Sequence, residues 1–197
     1  MGIFLAIEGA KGAGKTTLAV ALRDRLAEAA DERVVVTKEP TARFDLAQES
    51  RLLGADLARA IAADRAAHVR EVISPALGQG KSVVCDRYIL SSLVFHSADG
   101  VPAEELWQLN RPFPLPAANL ILAVPAPVIS ARRERRGAPT RLEAASDPSR
   151  EHDGYLRFAK AMRQRGVPFA IVPNENPADL ERAVRWIMRS IQDGIPS

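Results

Sequence analysis

Five short runs of Val, Ile and Leu punctuate the chain, at residues 3–7, 34–37, 82–85, 119–124 and 169–172. None alternates cleanly between polar and apolar positions, so each reads as a strand covered on both faces, the pattern of a parallel sheet. Helical stretches separate them. Residues 16–30 are rich in Ala and Leu, and residues 57–77 are long and periodic. Near the end, Leu180, Ala183, Val184, Ile187, Met188 and Ile191 share one face at helical spacing. Strand and helix alternate throughout without repeat or linker, which predicts one α/β layered domain spanning residues 1–197. Residues 132–150 are Arg-rich, contain Pro139 and Pro148 and have little periodicity; they read as a surface loop or as a mobile lid.

Composition narrows the class. With 197 residues, 47% hydrophobic and 26% charged, the chain can build a full core, and fibrous, disordered and coiled-coil readings fall away. The formal net charge of +3 is too small to argue for a nucleic-acid partner. Of the 27 basic residues 22 are Arg, a side chain suited to forked phosphate recognition, although an Arg- and Ala-rich genome produces the same bias. The one cysteine, Cys85, lies in an apolar run and reads as a buried thiol. Residues 120–129, the longest near-apolar stretch, contain two prolines and are too short to cross a bilayer. No cationic segment precedes the first apolar residues, so the expectation is a soluble cytoplasmic protein without a membrane partner.

The strongest chemical signal is Gly9-Ala10-Lys11-Gly12-Ala13-Gly14-Lys15-Thr16, with Thr17 following, which fits G-x-x-x-x-G-K-[ST] between a predicted strand and a predicted helix. Glycines let such a loop curl until successive N–H groups face phosphate oxygens, and the helix N-terminus adds its positive end. Lys15 is then expected on the β/γ-phosphates and the Thr16 hydroxyl on Mg²⁺. The loop is therefore expected to bind ATP or GTP, and the Asn-Lys-x-Asp tetrapeptide expected of a GTPase is absent. The run ending in Asp86 supplies a second magnesium ligand, and Arg87 follows it where hydrolytic ATPases carry an acid. An arginine there holds a second phosphate better than it activates water, so the sequence favours transfer to an acceptor. On the helix from Leu57 the apolar stripe Leu57, Ile61, Val69, Val72, Ala76 is interrupted by Arg65, which reads either as an arginine paired with a buried carboxylate or as a pocket floor.

These residues resemble the thymidylate kinases. The resemblance is carried by the loop after Ile7-Glu8, by Thr37-Lys38-Glu39-Pro40-Thr41, by Ala62-Ala63-Asp64-Arg65-Ala66-Ala67-His68-Val69, by Asp86-Arg87-Tyr88-x-x-Ser91-Ser92, by Leu109-Asn110-Arg111 and by the Arg-rich segment ahead of a helical C-terminus. It implies a three-layer P-loop kinase fold, a five-stranded parallel sheet flanked by helices with an Arg-rich lid over about residues 132–150. It also implies a homodimer that moves the ATP γ-phosphoryl group onto dTMP. In that family the residue matching Arg87 clasps the acceptor phosphate and the one matching Arg65 hydrogen-bonds the pyrimidine. Glu39, Arg43, Ser91 and Ser92 then line the acceptor pocket. Four positions depart from the family: Ile61 stands where an aromatic stacks on the base, Phe95-His96 where Tyr-Gln is usual, and Lys11 where relatives carry a carboxylate or an arginine.

Phosphoryl transfer asks mainly for positioning and charge neutralisation. The expected catalytic set is Lys15, Asp86, Arg87 and guanidinium groups from the cluster Arg132, Arg133, Arg135, Arg136, with Arg133 and Arg136 foremost; a solvated helix end is the alternative for that cluster. No general base is required when the acceptor is already an anionic phosphate. Two other readings differ here. A deoxynucleoside kinase would use Glu39 as base toward a sugar hydroxyl, and a non-catalytic homologue would bind ATP only. His68 reads as helix surface or edge, and Trp107 and Trp186 as packing or dimer residues.

Overall fold

Each apolar run becomes a strand: β1 (Phe4–Glu8), β2 (Val34–Lys38), β3 (Ser82–Asp86), β4 (Ala118–Ala123) and β5 (Phe169–Pro173). They form one sheet of order β2-β3-β1-β4-β5, parallel throughout. The computed structural model describes residues 2–29, 33–135 and 147–193. Successive side chains of β1 point to opposite faces: Phe4 and Ala6 enter one core with Tyr88, Leu93 and Tyr155, while Leu5 and Ile7 enter the other with Leu18, Leu22 and Ile187. Both faces are therefore buried, which is why the strands read as unbroken apolar runs.

The helices are α1 (Lys15–Glu28), α2 (Gln48–Arg51), α3 (Gly54–His68), α4 (Ser74–Gly78), α5 (Ile89–Ala98), α6 (Ala103–Asn110), α7 (Ala126–Glu134), α8 (Pro148–Arg163) and α9 (Pro177–Asp193). The helix expected over 57–77 starts earlier, at Gly54, and is not continuous, because a π-helical turn, Val69–Ile73, separates α3 from α4. Pro75 lacks the N–H that an α-helix would direct at the Glu71 carbonyl, and the wider turn falls across that residue. The stretch 132–150, expected to lack periodicity, is helical at both ends. Arg132 and Arg133 lie in the last turn of α7, and α8 starts behind Asp147, whose carboxylate accepts from the Arg150 N–H at 2.9 Å. Residues 136–146 of the predicted lid, Arg136 included, lie outside the described residues. Among the described residues no helix is long and apolar enough to cross a membrane.

This topology sets the site. The C-terminal ends of β1 and β3 are adjacent, with Ile7 opposite Asp86, so the loop after β1 and the Asp86-Arg87 pair open on one crevice at the edge of the sheet.

Candidate active site

The loop from Gly9 to Gly14 holds its shape through backbone that other residues adopt poorly. Gly9 sits at φ +141°, and a Cβ there would lie 3.0 Å from the Leu122 carbonyl oxygen. Gly14 sits at φ +93°, where a Cβ would collide with the Asn174 amide. That amide, from the end of β5, donates to the Ala13 carbonyl at 2.6 Å and clasps the loop from outside. Lys15 is buried, and its Nζ donates to the carbonyls of Gly9 (2.8 Å) and Ala10 (3.0 Å). Burial, helped by the neighbouring Arg87 guanidinium, pulls its pKa down to about 7. The Thr16 hydroxyl donates to Asp86 Oδ2 at 3.3 Å, while Asp86 Oδ1 is buried with no hydrogen-bond partner. A hydroxyl and a carboxylate side by side, with one oxygen unused, form a donor set that fits Mg²⁺.

Beside the loop lies a cavity of about 180 Å³. Of the nine expected acceptor-side residues, Glu39, Ile61, Arg65, Arg87, Ser91, Ser92, Phe95 and His96 line it. Lys11, expected on the nucleotide, lines it too. Arg43 does not: its side chain is exposed and pairs with Glu71 on the π-helical turn. Residues after it, Phe44 and Leu46, take the place at the mouth that Arg43 was expected to fill.

Two arginines, the half-buried Arg87 and the buried Arg65, line this cavity. Arg87 has φ +69°, a left-handed conformation unusual for a residue with a side chain. Its Nη1 donates to Ser91 Oγ (3.1 Å) and to the Tyr155 hydroxyl (2.9 Å), and the guanidinium lies 5.0 Å from the centre of the Phe95 ring. Ser91 in turn donates to Glu8 Oε2, and Glu8 Oε1 accepts from the Tyr88 N–H at 3.0 Å. Glu8 is fully buried, and desolvation pushes its pKa up to about 7 against those hydrogen bonds and the Arg87 charge.

Arg65 is only 1% exposed, and each of its three nitrogens has a protein partner. Nε donates to Glu39 Oε2 at 2.7 Å, Nη2 to Ser92 Oγ at 2.8 Å, and Nη1 to Asn110 Oδ1. The other Glu39 oxygen meets His68 Nδ1 at 2.9 Å, and His68 Nε2 meets Thr37 Oγ1 at 2.8 Å. His68 is thus buried inside a polar chain, where a helix surface or edge was expected; it closes the last turn of α3 and faces the end of β2. Both alternatives for Arg65 hold together: it is paired with a buried carboxylate, and it lines the pocket. Asp64 ties down the intervening segment by accepting from the Thr41 N–H (2.7 Å) and hydroxyl (2.6 Å).

The arginines that close α7 sit on the outer side of the loop. Arg132 donates to the carbonyls of Gly12 (3.3 Å), Asn174 (3.0 Å) and Glu175 (3.0 Å). Arg133 Nε donates to the Lys11 carbonyl at 2.8 Å, and its Nη2 pairs with Glu151 Oε1 at 2.6 Å. Arg135 is exposed. Glu151 Oε2 also accepts from the Lys11 N–H at 3.0 Å. Sequence reading assigned no role to Glu8, Asn110, Glu151, Tyr155 or Asn174. A carboxylate ending an apolar strand was a usable signal for Glu8, because an acid in such a place needs partners. The others act through contacts across 18 to 161 residues of sequence, which spacing does not reveal.

Comparison with known proteins identifies the family. The family model described as thymidylate kinase matches residues 7–177. A thymidylate kinase of Xanthomonas oryzae pv. oryzae (strain PXO99A) is 41% identical over 209 residues, covering 92% of each chain. A probable thymidylate kinase of Pyrococcus abyssi is 33% identical over 187 residues, covering 88% of this chain and 91% of its own. The crystal structure of thymidylate kinase from Ehrlichia chaffeensis superposes with a TM-score of 0.70 over 98% of this chain and 100% of that one, at 24% identity, which speaks for the fold. By family model and by these relatives, the chain belongs to the thymidylate kinases.

Proposed function

We propose that this chain, acting as one kinase domain, transfers the γ-phosphoryl group of ATP to dTMP, giving ADP and dTDP. The observation that carries this reading is the placement of Arg87: half-buried, conformationally strained, beside Asp86 and lining the same cavity as Arg65. In this reading the loop amides and Lys15 hold the polyphosphate, Arg87 clasps the acceptor phosphate, and Arg65 donates toward the base. Two phosphates are thereby aligned for in-line attack, and the chain's contribution is orientation and charge neutralisation. Magnesium, held by Thr16 and Asp86, would neutralise charge on the transferring phosphate. Arg133, braced between Glu151 and the Lys11 carbonyl, is the described member of the arginine cluster best placed to add a guanidinium beside the loop. Family membership extends the proposal to a homodimer and a cytoplasmic setting.

Glu39 argues against a nucleoside kinase. Both its oxygens are taken, by Arg65 and by His68, so its carboxylate is not presented to a sugar hydroxyl. The test is ADP release at fixed ATP and Mg²⁺ with each nucleoside monophosphate, with thymidine, and with no acceptor. Turnover is expected with dTMP and not with thymidine; acceptor-independent release, or release driven by thymidine, would overturn the reading.

Lys15 supplies a second check. Held down to about 7, it is largely neutral near pH 8, whereas a bound polyphosphate favours its charged form. Nucleotide binding near pH 8 should therefore take up a proton, and binding near pH 6, where Lys15 is already charged, should take up much less. Calorimetric titrations in buffers of different ionisation enthalpy measure this; equal proton uptake at both pH values would contradict the assignment.

A further inference from the structure

One helix reaches both halves of the site. Glu151 and Tyr155 are four residues apart in the first turns of α8 and so share a face. Glu151 binds the nucleotide loop twice, through the Lys11 N–H and through Arg133, whose Nε holds the Lys11 carbonyl. The hydroxyl of Tyr155, with no solvent exposure, accepts from Arg87 Nη1 and shares a hydrogen bond with Ser91 Oγ, each at 2.9 Å. Burial keeps that phenol well above its usual pKa, so it remains a hydroxyl across the working range. Between them stands Gly154, where a Cβ would sit 3.2 Å from the Val94 side chain; the missing side chain lets α8 lie close on α5, the helix that carries Ser91 and Phe95. The Phe95 ring, stacked under the Arg87 guanidinium, meets the Tyr155 ring edge-on at 6.4 Å.

From this arrangement we propose that the start of α8 is a strut linking the two substrates: Tyr155 is a positioning residue for the Arg87 clamp, and Glu151 joins it to the nucleotide loop, so that binding ATP tightens the acceptor site. This rests on the reading of Arg87 as the acceptor-phosphate clamp. Any shift of Lys11 on nucleotide binding is transmitted through Glu151 to a side chain one turn along the same rigid helix, and that side chain sets the orientation of the guanidinium. Energetic coupling requires such an element with differential contacts at both ends, and reciprocity makes it measurable from either side.

The experiment is calorimetric titration of dTMP, and of thymidine, into wild type, Tyr155→Phe and Arg87→Met, each with and without a saturating non-hydrolysable ATP analogue and Mg²⁺. In wild type the analogue is expected to tighten dTMP binding by at least about fivefold, the lower end of typical couplings between sites. Tyr155→Phe should bring that factor close to one while leaving thymidine binding unchanged, because the clamp acts on the phosphate alone. If Arg87→Met binds dTMP as wild type does, the clamp reading itself fails. If Arg87→Met is weakened but wild type shows no coupling, or Tyr155→Phe keeps it, the strut is refuted and the clamp survives. Should Tyr155→Phe not fold, Glu151→Gln decides the same question from the nucleotide end, and retention of full coupling there refutes the strut.

Discussion

Replacing Arg87 with methionine is expected to lower kcat/KM for dTMP by about 10³-fold, equivalent to ~4 kcal/mol of lost transition-state stabilisation. The size follows from where the charge sits. Arg87 is half-buried among Ser91, Tyr155 and Phe95, away from the screening that weakens surface charges, so a phosphate meeting it there gains a strong charge-assisted contact. Lysine should not rescue the loss, because one ammonium cannot reach both the serine–tyrosine pair and an incoming phosphate in the planar arrangement of the fork. Affinity for ATP should change little, since the loop amides and Lys15 remain. Steady-state kinetics with dTMP varied at saturating ATP, and the converse, separates these; a variant with unchanged kinetics toward dTMP would remove Arg87 from the mechanism.

The second large effect is on stability. Glu39→Ala removes the counter-charge of a guanidinium that is 1% exposed, and breaking a buried ion pair from one side costs about 3–5 kcal/mol. For a chain of this length that corresponds to a fall in Tm of roughly 6–20 °C. His68 also loses its carboxylate partner. Removing both charges, as in Glu39→Ala with Arg65→Leu, should be less destabilising than Glu39→Ala alone, because no uncompensated cation is left in the core. Thermal unfolding of the two variants tests this. A double variant that melts below the single one would show that Ser92 and Asn110 are sufficient partners for Arg65 without the carboxylate.

The five strands were legible because both faces of a parallel sheet demand continuous apolar residues, and the nucleotide loop was legible because its chemistry is local: eight consecutive residues make the cradle. Arg65 was legible as an anomaly, a charge on an apolar stripe. What resolved it was not, since Asn110 and Glu39 arrive from 45 and 26 residues away. Arg43 shows the converse failure. The family resemblance placed it in the pocket, but the turn after Thr41 sends that side chain outward to Glu71. His68 was misread because periodicity ranks a histidine as polar and therefore external, whereas paired donors and acceptors on both ring nitrogens make its burial affordable.

The Lys15 amine is tethered by the carbonyls of Gly9 and Ala10, so a polyphosphate competes for its charge with the backbone of the loop itself. A polyphosphate that takes this amine therefore trades two backbone acceptors for its own oxygens.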